Sequence, residues 1–125
     1  MKLFRCEHCG NIAEKIYDSG VSMVCCGENM TEIKAIEELD QKHTPVLKKD
    51  SNHLSIEVGE LIHPMTPDHF IHFIFIVKDD TVVRYDVRDK ELPIVNFSLE
   101  DDFEVYSYCN VHGLHKAVIK EIKEG

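Results

Sequence analysis

Phe70-Ile71-His72-Phe73-Ile74-Phe75-Ile76-Val77 is the longest apolar stretch of the chain. Both of its alternating faces carry large apolar side chains, so it reads as a central strand covered on two sides. It falls far short of the ~20 residues that span a bilayer. Asp79-Asp80 follows as a turn, and Thr81 to Val87 continues as a strand with β-branched residues and Tyr85. On the other side, Leu54, Ile56 and Val58 alternate with Ser55 and Glu57, a period of two. Further on, Phe103, Val105, Ser107 and Cys109 share one face of another strand, and Ala117, Val118, Ile119 and Ile122 suggest a last one. No segment in this half carries a helical stripe. Short strands separated by turn residues predict a mainly β architecture, an antiparallel sandwich.

The 125 residues suffice for one modest domain plus a small satellite. With 14 Lys and Arg against 23 Asp and Glu, the formal net charge is 14 − 23 = −9. That balance speaks against nucleic acid, whose phosphates need clustered cations. Met1-Lys2-Leu3-Phe4-Arg5-Cys6 is not followed by an apolar signal region, so a cytoplasmic protein without membrane attachment is expected. An odd count of five cysteines argues against a disulfide framework and for metal or thiol chemistry.

Four of those cysteines fall in the first 26 residues. Residues 1–34 are too few to bury a core unaided and call for a metal or a partner. Residues 35–41, Ala-Ile-Glu-Glu-Leu-Asp-Gln, read as an acidic linker, and 42–125 as the β domain. Within the first segment, Cys6-Glu-His-Cys9-Gly10 is a knuckle whose two-residue gap turns both sulfurs toward one ion. Cys25 and Cys26 complete a set of four thiolates suited to iron or zinc. Adjacent residues point in different directions, so this pair can share one metal only with a distorted geometry. His8 reads as an exposed side chain in the loop.

A second constellation comprises His43, His63, His69, Cys109 and His112. His63 precedes Pro64 and is therefore held extended. Cys109-Asn110-Val111-His112-Gly113 spaces a thiol and an imidazole as ligands often are. Imidazoles with one thiolate favour a redox-active iron over magnesium or calcium. Spacing alone does not choose between His112 and His115, nor does it exclude His53 and His72.

Taken together, the motifs resemble desulfoferrodoxin, the two-iron class of superoxide reductases. Cys6-x2-Cys9 with Cys25-Cys26 is similar to the family's desulforedoxin-like N-terminal module. Lys42-His43-Thr44-Pro45, His63-Pro64-Met65 with His69, and Cys109-Asn110-Val111-His112-Gly113 match its remaining motifs in order. The resemblance covers almost the whole chain. It implies two irons per chain, one held by Cys6, Cys9, Cys25 and Cys26. The other, catalytic, iron would have His43, His63, His69 and His112 around it and the Cys109 thiolate as axial ligand, with the position opposite open. In the family the last of these histidines binds through Nδ1 and the others through Nε2. The implied second domain is an immunoglobulin-like β-sandwich. The implied activity is reduction of superoxide by one electron and two protons to hydrogen peroxide, without release of oxygen. Rubredoxin is the family's usual donor, and its members are commonly homodimers. Lys42 would place a cation near the open position, offsetting the negative net charge within a Debye length of ~8 Å. One departure is Gln41, where the family has a glutamate able to bind ferric iron. The competing readings are an iron-based electron-transfer module and a redox sensor without turnover.

Overall fold

The computed structural model of the chain describes residues 1–38, 43–50, 53–59, 63–97 and 103–119. Lys42, Gln41 and Ile122, singled out above, lie outside the described residues. Two compact units are present, Met1–Lys34 and Ala35–Gly125. No helix long and apolar enough to cross a membrane occurs among the described residues.

The first unit holds five short strands: β1 (Leu3–Arg5), β2 (Ile12–Glu14), β3 (Val24–Cys25), β4 (Glu28–Asn29) and β5 (Thr31–Ile33). β1 lies between β2 and β5, antiparallel to both, and β3 and β4 form a separate hairpin. Only Leu3 and Cys6 are buried here, so apolar packing is slight. The hairpin turns through Cys26 and Gly27, with φ of 54° and 77°. Two successive left-handed residues are what a two-residue turn between twisted strands demands. Glycine adopts that backbone freely, whereas Cys26 does so at a cost of roughly 1 kcal/mol or more.

The second unit holds β6 (Ala35–Ile36), β7 (Pro45–Asp50), β8 (His53–Val58), β9 (Ile71–Lys78), β10 (Thr81–Asp86), β11 (Ile94–Phe97), β12 (Phe103–Cys109) and β13 (Gly113–Ile119). One sheet runs β10-β9-β12-β13-β6 and the other β11-β8-β7. Their facing residues make one core: Ile56 and Val58 from β8, Val95 from β11, Ile74 and Ile76 from β9, and Phe103, Val105 and Cys109 from β12. The period of two read at Ile56 and Val58, and again along Phe103–Cys109, is this inward face.

Two features depart from the sequence reading. Ala35 and Ile36, read as linker, form a strand that pairs in parallel with β13, opposite Leu114 and His115. The sandwich is therefore not wholly antiparallel. Lys116 reinforces this edge, with Nζ 3.4 Å from Glu37 and 3.5 Å from Glu104. The last strand also starts earlier than read, at Gly113, directly after His112.

β9 contains a bulge. Phe73 pairs with Tyr108 and Ile71 with Cys109, so His72 is an extra residue on β9. The extra residue shifts the phase of the strand, and Ile71 joins Ile74 in the core beside Cys109. His72 itself stacks on Phe73, with centroids 3.9 Å apart, and lies 3.5 Å from the Arg88 guanidinium.

Candidate metal centres

In the first unit, the sulfurs of Cys6, Cys9, Cys25 and Cys26 lie within 4.8 Å of one another. The knuckle is closed by two backbone bonds, Gly10 N–H to the Cys6 carbonyl and Cys6 N–H to the Asn11 carbonyl, both 2.9 Å. The left-handed turn at Cys26 swings its sulfur to 4.0 Å from that of Cys25. Two adjacent cysteines thus reach one point. Asn11 Nδ2 lies 3.7 Å from the Cys25 sulfur. His8 stands outside the cluster, 3.1 Å from Glu28.

The protonation of these thiols is uneven. A backbone hydrogen bond from Cys9 holds the Cys6 thiol down at about 6, against the opposing effect of burial. Hydrogen bonding with Cys9, Cys6 and Cys25 pushes Cys26 up to about 12. Contacts with Cys6 and Cys9 likewise raise Cys25. One thiolate forms readily, while hydrogen bonding among the sulfurs keeps Cys25 and Cys26 protonated. A cation at the centre reverses that preference. Groups with raised values are protonated at neutral pH and must lose their protons to bind, so affinity should rise with pH. We expect metal uptake by the metal-free chain to release protons, and zinc affinity at this centre to fall steadily from pH 9 to pH 6. A weakly buffered titration with a pH dye measures both effects. Affinity independent of pH over that range would contradict this protonation scheme.

In the second unit, His43, His63, His69, Cys109 and His112 place their donor atoms within 4.8 Å of one another. All five sit at one end of the sandwich. Cys109 closes β12, His112 stands in the turn before β13, His69 precedes β9, His43 precedes β7, and His63 follows β8. That end is common to all because Pro45 pairs with Val58 and Ile71 with Cys109. His43, His63 and Cys109 are buried, whereas His112 is exposed. The cluster is therefore closed from below and meets solvent at His112.

The His63 ring is aimed by a specific contact. His63 Nδ1 lies 2.7 Å from the Pro64 carbonyl. That oxygen can only accept, so Nδ1 carries the hydrogen and Nε2 presents its lone pair to the cluster. Burial, then the charge of His43, His69 and His112, lowers His63 to about 4, which keeps it neutral at pH 7. Its Nε2 is buried with no hydrogen-bond partner among the described residues. A buried lone pair left unmatched is costly, and a metal ion at this point satisfies it. The residues therefore fit a metal. His112 Nδ1 lies 3.0 Å from His43 Nε2, 3.2 Å from His69 Nε2 and 3.7 Å from the Cys109 sulfur. The ring nitrogens facing the common point are thus Nδ1 for His112 and Nε2 for His43, His63 and His69.

The Cys109 sulfur also accepts the His112 backbone N–H at 3.4 Å. Asn110 joins two donor-bearing loops. Its Oδ1 accepts from Phe70 N–H at 2.9 Å and its Nδ2 donates to the Asp68 carbonyl at 3.0 Å. Sequence spacing gave no signal for this role of Asn110. His72 and His115 stand outside the donor cluster.

The chain matches the family model described as Desulfoferrodoxin over residues 35–118 and that described as Desulfoferrodoxin, N-terminal domain, over 1–33. It is 34% identical over 117 residues to a desulfoferrodoxin homolog from Archaeoglobus fulgidus, covering 91% of this chain and 94% of that one. It is 35% identical to a desulfoferrodoxin from Nitratidesulfovibrio vulgaris, with 93% and 94% covered. Among solved structures, a superoxide reductase from Treponema pallidum superposes with a TM-score of 0.71 at 24% identity, over 93% of this chain and 95% of that one. That last likeness is one of fold. With both units matched in order, and relatives aligned nearly end to end, the chain belongs to the desulfoferrodoxin family.

Proposed function

We propose that this chain is a superoxide reductase, converting superoxide, one electron and two protons into hydrogen peroxide without releasing oxygen. The observation that carries the reading is the convergence of four imidazoles and one thiolate at the solvent-facing end of the sandwich in a member of this family. The two donor sets share no residue and are consistent with two irons per chain. Cys6, Cys9, Cys25 and Cys26 would hold the first. His43, His63, His69, His112 and Cys109 would hold the second. Iron bound there supplies the electron that superoxide takes up.

The residues of the chain do the rest. His63 is neutral and directed by Pro64, so it adds no charge of its own. The Cys109 thiolate is the one anionic donor in the set and feeds electron density to whatever cation it binds. The His112 N–H on its sulfur moderates that donation. A substrate approaching from solvent meets the His112 side, the exposed edge of the cluster.

Lys42 is proposed as a steering cation. The support is its place directly before His43 and the negative net charge of −9 that an anionic substrate must otherwise face. Lys42→Ala should slow the reaction with superoxide about tenfold at low salt and flatten its ionic-strength dependence. Stopped-flow or pulse-radiolysis rates at two salt concentrations test this, and an unchanged low-salt rate makes Lys42 a bystander.

A cytoplasmic location, rubredoxin as electron donor and a homodimeric assembly complete the proposal. The donor and the assembly follow from the family resemblance, and the location from the lack of an apolar stretch behind residues 1–6. The decisive experiment supplies superoxide and a reduced rubredoxin to the iron-loaded chain. Continuous peroxide formation with no oxygen is expected. A single stoichiometric oxidation without turnover would favour a sensor or electron-transfer protein.

A further inference from the structure

We propose that Ser107 and His115 form a clamp that positions His43 in the second centre. The inference rests on the reading of His43 as a metal ligand. It also gives the buried His115, which lies outside the donor cluster, a part in the site. Ser107 and His115 are direct cross-strand partners on β12 and β13. Both are buried, at 1% and 4% exposure. Ser107 Oγ donates a hydrogen bond of 3.0 Å to the His43 carbonyl. The His115 ring lies on the His43 ring with centroids 4.8 Å apart and planes 17° from parallel.

That stack differs in kind from the contacts among the ligand rings. His43 meets His63, His69 and His112 at 65°, 37° and 56°. His69 meets His63 and His112 at 78° and 61°. Rings so tilted turn their edges toward one point, as donors must. His115 instead covers a face of His43, where there is no lone pair to share. The two contacts fix different freedoms. The Ser107 bond sets where the His43 backbone sits, and the stack sets how its ring is rotated. β6 braces the arrangement from outside, since Ile36 pairs with His115 on the far side of β13. Groups that orient a ligand typically influence metal affinity as well as activity.

The test is anaerobic cobalt(II) titration of the full metal-free chain, with the four-cysteine centre as internal reference. His115→Ala should weaken uptake at the second centre about ten- to a hundredfold and shift its visible band. Uptake by the first centre should not change. His115→Phe keeps a flat ring and should restore affinity to within about threefold of the natural chain, since a phenyl ring can also stack. Ser107→Ala should lower affinity in the same direction. Circular dichroism confirms that each variant folds, and if His115→Ala does not, the other two carry the test. Natural affinity and band position in His115→Ala or Ser107→Ala would overturn the clamp. A His115→Phe variant as weak as His115→Ala would also overturn it, making His115 a polar contributor and not a positioning ring. If the natural chain itself takes up no metal at the second centre, the reading of His43 as a ligand falls, and the functional proposal with it.

Discussion

Cys109→Ala should cut the rate of superoxide reduction at least a thousandfold, a barrier increase of ~4 kcal/mol, while the four-cysteine centre keeps its metal and spectrum. Cys109 is wholly buried at the end of β12, in the core beside Ile71. Its sulfur is the only donor in the second cluster that binds as an anion. Removing it leaves four imidazoles and no anionic donor, a set that binds iron less strongly and offers no charge donation. Alanine is the informative replacement because serine would bury a hydroxyl among apolar neighbours. The fold should survive, since losing one buried sulfur costs about 1–2 kcal/mol against a typical total of 5–15. Pulse radiolysis on the iron-loaded variant, with near-ultraviolet and visible spectra, reads both halves of the prediction. A rate within tenfold of the natural chain would mean that the thiolate is not what drives the chemistry.

Removing metal should have its largest structural effect elsewhere. Strong chelation should unfold Met1–Lys34 and leave the sandwich folded. The first unit buries only Leu3 and Cys6, and a fully buried side chain contributes about 1.5–3 kcal/mol. Ordering each of its backbone residues costs roughly 1–2 kcal/mol. The left-handed Cys26 adds a further cost. Structural zinc supplies about 10–16 kcal/mol in peptides of similar size, enough to decide whether this unit folds. The second unit has its own core across two sheets and does not depend on metal in this way. Hydrogen exchange read by mass spectrometry should show lost protection in residues 1–34 and retained protection in β9 and β12. Cys9→Ser should act in the same direction at the first centre and leave superoxide reduction at the second. Protection in residues 1–34 that survives complete metal removal would show that the short strands hold by themselves.

The sequence was most legible where one face of a strand is buried. Ile56 and Val58 on β8, and Phe103 and Val105 on β12, carry the period of two because their alternate neighbours are less buried; toward Cys109 the contrast fades, since Tyr108 is buried as well. β9 was legible as a strand but not in its phase, because apolar residues on both faces conceal where the alternation slips. Ala35–Ile36 escaped because two apolar residues in an acidic stretch have no period to read, and their partner lies near residue 114. β11 is only four residues long and follows Pro93, which breaks any pattern around it. In the second cluster, the residues named from spacing and resemblance are brought together by the structure. What spacing could not give was the identity of the supporting contacts. Asn110 and Ser107 act through hydrogen bonds to backbone atoms some 40 and 64 residues away. His115 is set apart from His112 only by the register of β12 and β13.

The bulge at His72 makes the two ends of β9 unequal in their tolerance of length change. Deleting one residue there would restore strict pairing, draw the chain that bears His69 along by about 3.3 Å and turn it to the opposite face of the sheet. The hairpin at Asp79–Asp80, at the far end of the same strand, lies away from every donor and is the kind of exposed tip where an added residue is absorbed. Insertions and deletions should therefore accumulate at the hairpin in descendants of this chain. The segment from His69 to Phe73 should keep its residue count even where its side chains drift.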